Sequence, residues 1–473
     1  VACKQIHLNA FEMNCVGHLA RGMWRHPADS RWRYTDLEYW NEEAAILEAG
    51  CFDALFLADV IGTYETAPGD SADALRIAHQ VPVNDPLLLV PALAQVTSNL
   101  GFAVTISATY EPPFAHARRM STADHLTRGR VGWNVVTSYL DNAARNFGLD
   151  GQLDHDNRYE RADEYMEVCY RLWEESWEED AVLRDRERGI FTDPAKVHYI
   201  DHDGHYFRVA GPHLSEPSPQ RTPVIFVATG SPRGKLFAGK HAEAVFLASS
   251  SLDRVRSDIA EIRRLAVENG REPDDVKIFN HLRVIVGRTR DEAECKAEDY
   301  AQFRSVQARL YGLDLSRYSP ETLLQDVEVP ENGSGRGPAQ YLGQLIEQWP
   351  GRPTVADLLA TIRRNGGIDP FSVVGTPEEI AARMEEYMIR TDLDGFNVHS
   401  NVSLESYRDF VELVVPVLQA RGLFRTAYSP AETTLRERLS GPGRALLPAT
   451  HPGGAYRLRA GTAHPLTLTT TSG

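Results

Sequence analysis

Apolar residues along this chain fall into two alternating patterns. Short runs apolar on both sides recur at QIHLNAF (5–11), FDALFLAD (52–59), LGFAVTISAT (100–109), RVGWNVVTS (130–138), TPVIFVATG (222–230), EAVFLAS (243–249) and VKIFNHLRVIVG (276–287). Such runs predict strands covered on both faces. Longer segments with helical periodicity lie between them: 36–50, 85–99, 112–129, 155–176, 231–242, 251–270 and 289–303. Strict alternation of buried strands with helices predicts a parallel sheet. With GFNVHS (395–400) the strands number eight, so the expected fold is α/β, a (β/α)8 TIM barrel with insertions. A dinucleotide fold would want GxGxxG after its first strand, and none stands there.

Three segments interrupt the rhythm: a long loop at 60–84, an insertion at 177–220 with the look of hairpins, and an irregular stretch at 306–374. Long loops in compact domains tend to be lids or binding loops. Residues 1–428 are expected to form one barrel domain. The Pro-, Gly- and Thr-rich residues 429–473 are expected to be a loosely ordered tail.

Composition narrows the partners. A net charge of -16 leaves no basic face for nucleic acid. No apolar run reaches the roughly 18 residues of a membrane span. The chain starts straight into a strand without a signal-peptide pattern, so a cytoplasmic location is expected. Five scattered cysteines (Cys3, Cys15, Cys51, Cys169, Cys295) form no CxxC pair, so no metal site and no disulfide framework is expected.

In such a barrel the active site lies at the C-terminal strand ends. Those ends read Asp59; Thr105, Ser107 and Thr109; Asn134, Thr137 and Ser138; Ala228 to Ser231; and Asn397, His399 and Ser400. Neutral hydrogen-bonding groups dominate, where a hydrolase would show paired carboxylates and a metal enzyme several His and Asp. They suit a large, polar, planar cofactor. His155 and Tyr159 share one face near a helix start, and Ser231-Pro232 opens the next helix as N-cap and first residue. Two such helix starts make a phosphate cradle. Each feature also has a plainer explanation: Ser231 capping only its own helix, His155 and Tyr159 as a surface pair, Asp59 closing a turn. HDGH (202–205) lacks a third metal ligand. Cys15 and His18 are either a nucleophile and base or pocket lining.

The motifs WNVVTS and HDNRYERADE, together with LFLAD, TISATYEPPFAHARRMSTADHLTRGR, FTDPAKVHYIDHDGHYFRVAGP and DGFNVHS, resemble the bacterial-luciferase-like flavin monooxygenases. The similarity is closest to the branch of nitrilotriacetate, dibenzothiophene-sulfone and dimethyl-sulfide monooxygenase large subunits, and spans about 5–290 and 370–428. It implies an enzyme that takes FMN as FMNH2 from a separate NAD(P)H:flavin reductase, activates O2 as a flavin peroxide, and oxygenates a small molecule at or beside sulfur or nitrogen. It also implies a homodimer or tetramer. Carried onto this chain, the flavin ring would meet Asp59, Thr105, Ser107, Asn134 and Ser138, and the phosphate His155, Tyr159 and Ser231. His18 would donate a hydrogen bond at the oxygen-reacting face, with Phe11, Cys15 and Trp24 lining the substrate pocket. Val227 departs from the Gln common in the family, which would remove a polar group beside the flavin. An F420-dependent oxidoreductase and a non-catalytic flavin-binding barrel are the competing expectations.

Overall fold

The computed structural model describes residues 4–65, 69–247, 249, 251–305, 309–310, 313–328, 346, 349, 351–365 and 370–458. Its eight barrel strands are β1 (His7–Met13), β2 (Ala54–Ala58), β3 (Gly101–Ser107), β4 (Val131–Val136), β5 (Val224–Ala228), β6 (Ala244–Leu247), β7 (Lys277–Val286) and β8 (Gly395–His399). All pair in parallel with their sequence neighbours, β8 returns to β1, and β6 pairs with β7, so the ring is closed. All eight are the expected runs. A short further strand, Ser372–Gly375, extends the sheet along Arg283–Val286. It closes the segment 306–374, running one residue past it, and much of that segment lies outside the described residues.

Closure follows from the side chains. Alternate positions point inward, where Phe11, Ala54, Phe56, Ala103, Val224, Phe226, Ala244, Phe246 and Phe279 form one apolar layer. Small and large residues interleave there, as a narrow barrel needs. The outward positions pack against the helix layer. That layer includes α1 (Leu37–Ala49), α2 (Pro113–Thr127), α3 (His155–Tyr170), α4 (Pro232–His241), α5 (Leu252–Glu268), α6 (Arg290–Phe303) and α7 (Pro377–Thr391). Residues 177–220 do carry two antiparallel hairpins, Val182–Asp185 with Ile190–Thr192 and His202–Asp203 with Arg208–Val209. Among the described residues no helix is long and apolar enough to cross a membrane.

The expectation of a loose tail from 429 fails as far as residue 458. Helix α8 (Leu435–Ser440) plugs the N-terminal end of the barrel, and its Leu435 and Leu439 join the inner apolar layer. Thr434 and Glu437 form a capping box at its start. Arg436 is buried, pairs with Glu243 at 2.6 Å and donates to the carbonyls of Gln220, Thr222 and Ala445. Average composition hid this short capped segment. Residues 459–473 lie outside the described residues.

Candidate active site

At the C-terminal face, two helix starts converge. Ser231 caps α4, its Oγ accepting from the Gly234 amide at 3.1 Å, with Pro232 at the first helical position. From α3, His155 Nε2 lies 3.4 Å from Ser231 Oγ, and the His155 and Tyr159 rings meet edge-on at 5.2 Å. The Tyr159 hydroxyl is held between Ser231 and Thr229, and burial raises its pKa. Gly234 leaves the space: a Cβ there would stand 2.0 Å from Thr229 Oγ1 and 2.7 Å from the Tyr159 oxygen. A capped helix start with hydroxyls and an imidazole drawn close around a residue that only glycine can be suits a phosphate monoester.

Neutral hydrogen-bonding groups continue on the strand ends. Asn134 donates to Thr105 Oγ1 at 2.9 Å, while its own Oδ1 is buried with no partner among the described residues. Ser138, at φ 54°, donates to Ser107 Oγ at 2.9 Å, and Ser107 Oγ also accepts from the Thr109 amide. Ala228 ends β5 exposed although its position points inward, so the mouth is open there. Asp59 accepts from the Val60 amide at 2.9 Å. Burial, opposed by that bond and reinforced by the charge of Asp85, raises its pKa to about 7. An orphan amide oxygen beside paired hydroxyls fits a heteroaromatic ring edge that carries N–H and carbonyl groups. The residues present therefore fit FMN at both its ends.

The opposite wall is aromatic and basic. The Phe11 ring sits 4.7 Å from His18, 5.2 Å from Phe56, 4.9 Å from Phe246 and 5.0 Å from His399. Burial, helped by nearby Arg31, His79, Arg21 and Arg283, lowers His18 to about 3, so its ring is neutral at physiological pH. Cys15 bridges to Val83 and is buried, with its thiol pushed up to about 12 by burial and by Glu12. It stays protonated, which removes the nucleophile reading.

This arrangement has close counterparts. The family model of luciferase-like monooxygenases matches residues 20–391. The chain belongs to that family. It is 49% identical over 461 residues to the long-chain alkane monooxygenase of Geobacillus thermodenitrificans, covering 96% of this chain and 98% of that one. It is 46% identical over 462 residues to the dimethyl-sulfide monooxygenase of Hyphomicrobium sulfonivorans, covering 96% and 94%. A crystal structure of riboflavin lyase with modified FMN and riboflavin superposes with a TM-score of 0.86 at 36% identity, covering 96% of this chain and all of that one.

Within this luciferase-like monooxygenase, the structure brings Thr105, Ser107, Asn134 and Ser138 into one cluster and His155, Tyr159 and Ser231 into another. It gathers Phe11 and His18 on the far wall. Trp24 does not join them: it is 38% exposed, while its neighbour Met23 takes the buried place against α6 with Ile285, Ala297 and Tyr300. Val227 faces outward into the helix-packed core, so its departure from the family pattern leaves the mouth untouched. His202 of HDGH lies 3.2 Å from Glu164, whose carboxylate also accepts from the Tyr206 and Phe207 amides, so the motif anchors its hairpin. The wall residues His281 and Arg283 escaped sequence reasoning, and His399 was noted without a role. Their signal was polar residues at every second position inside otherwise apolar runs.

Proposed function

We propose that this chain is the oxygenase component of a two-component flavin monooxygenase, taking FMNH2 from an NAD(P)H:flavin reductase. The observation that carries the reading is the cluster of Ser231, His155 and Tyr159 packed against Gly234, together with the orphan Asn134 oxygen on the strand ends. Relatives named as monooxygenases, and one crystallised with a modified FMN, support it. When bound, reduced FMN supplies the reaction with O2 that makes one oxygen atom transferable. Ser231, Tyr159 and His155 hold the phosphate at the start of α4. Asn134 Oδ1 accepts from the ring edge, with Thr105, Ser107 and Ser138 beside it. Asp59, ionising near neutrality, donates a hydrogen bond in its protonated form. Phe11, Phe56 and Phe246 keep water from beneath the ring. His18, neutral, offers a ring N–H at the reacting face. The substrate is a small organic molecule oxygenated at or beside sulfur or nitrogen.

The test is anaerobic titration with photoreduced FMN, then rapid mixing with aerated buffer. We expect saturable binding and a transient absorbance distinct from both free reduced and oxidised flavin. Binding without the transient would support a non-oxygenating flavin barrel; F420 binding in place of FMN would overturn the reading.

A further inference from the structure

Arginine and histidine side chains gather on and beside the wall built by β1, β7 and β8, in a chain with 66 acidic and 50 basic residues. In an eight-stranded ring β8 stands opposite β4, so this wall faces the Asn134 side across the mouth. His399, 4% exposed, points into it between Phe11 and His281, with ring centroids at 5.0 and 5.9 Å. Neither of its ring nitrogens has a hydrogen-bond partner among the described residues. Arg283 lies two residues beyond His281 on the same face of β7, and its charge reaches both His18 and His399. Arg304, buried behind it, donates to the Asn401 side chain and to the carbonyls of Arg363 and Arg364, with no carboxylate among these partners. At the lip, half-buried Arg21 acts on His18 and His79, and its guanidinium has no ion pair or hydrogen bond among the described residues. The acid on β1, Glu12, points the other way and accepts from Ser400 and Tyr407 behind the strand.

We propose that the substrate is a small organic anion whose charged group docks on this wall, between Arg21 at the lip and His399 inside. A neutral apolar substrate would strip water from Arg21 and leave His399 unpaired, both unfavourable. A cation would meet the charges of Arg21 and Arg304. An anion forms charge-assisted hydrogen bonds with Arg21 and satisfies an orphan ring N–H. This sets the chain apart from relatives named for an alkane and a dialkyl sulfide. It rests on the flavin reading only for what happens to the anion after it binds.

The test is calorimetric titration of FMN-loaded protein, and of protein without FMN, with (methylthio)acetate, (methylthio)methanesulfonate and methyl (methylthio)acetate. At least one anion should bind about tenfold tighter than the ester, the scale of one charged hydrogen bond. Arg21→Gln should erase that preference and Arg21→Lys retain part of it, both with an unchanged melting temperature because the Arg21 guanidinium makes no ion pair or hydrogen bond among the described residues. Whichever of carboxylate and sulfonate binds tighter identifies the headgroup. Equal or tighter binding of the ester, no binding of any probe, or a preference that survives Arg21→Gln overturns the proposal. A protein that fails to bind reduced FMN yet keeps the anion preference would sink the flavin reading and leave this one standing.

Discussion

The two ends of the barrel solve opposite problems with similar residues. At the N-terminal end, buried charge is mostly settled: Arg436 holds Glu243 and three carbonyls, and Asp53 holds Arg425 at 2.6 Å and the Leu8 amide at 2.8 Å, although Arg425 Nη1 and Arg438 Nε have no partner among the described residues. At the C-terminal end, polar groups are equally buried and left short. Asn134 Oδ1 and both nitrogens of His399 have no partner among the described residues, and Asn397 Nδ2 is in the same state. An unsatisfied buried group costs about 1–3 kcal/mol. One end of the barrel is therefore arranged for stability, and the other carries instability that a ligand can relieve.

Four perturbations can break or sharpen that contrast. The largest is Arg436→Ala at the plug, which strands Glu243 and should lower unfolding free energy by about 3–5 kcal/mol in denaturant titration. FMN affinity of the folded fraction should not change, and a drop there would mean the two ends are coupled. Next is Gly234→Ala, whose Cβ meets Thr229 and Tyr159. FMN affinity should fall about 100-fold, the equivalent of losing two phosphate hydrogen bonds, with little change in melting temperature.

Asp59→Asn follows. The folded pKa of Asp59, about 7, lies above its ordinary value of 3.8, so the native state holds a proton that the unfolded chain releases between those limits. Stability from this group is full below pH 4, declines as pH rises to 7, and stays low above it. The Asn variant should therefore be more stable than wild type by about 2 kcal/mol above pH 7, allowing for partial solvent screening, and equal to it near pH 4. A pH-independent difference would mean that Asp59 does not titrate near neutrality. The smallest effect is His399→Leu, which removes two orphan nitrogens and should stabilise the protein by about 1 kcal/mol. Destabilisation would show that His399 belongs to the settled end of the comparison.

The eight barrel strands and helices α1 to α6 could be read from local pattern, because each depends on neighbours within one strand or a few helical turns. The cradle was legible for the same reason: Ser231 and Pro232 adjoin, and His155 and Tyr159 lie one turn apart. Cys15 and His18, by contrast, gave no hint of their protonation states, since burial sets both. Trp24 and Met23 compete for one buried place, and only packing shows that Met23 takes it. The α8 plug was missed because a six-residue helix has too few turns to display a period, and its caps were lost in the average over a Pro- and Gly-rich stretch.

By itself, then, the sequence determined the alternation of strands and helices, the strand ends that face the mouth and the helix starts that meet there, all consequences of short-range periodicity and capping. Tertiary structure decided which faces turn inward, which puts Val227 in the helix-packed core and His281, Arg283 and His399 in the barrel. It also decided which buried polar groups find partners, because β7, β8 and β1 become neighbours only when the ring closes. Register and closure are long-range properties, and the side of a strand that a residue occupies has no physical meaning until its neighbours are in place.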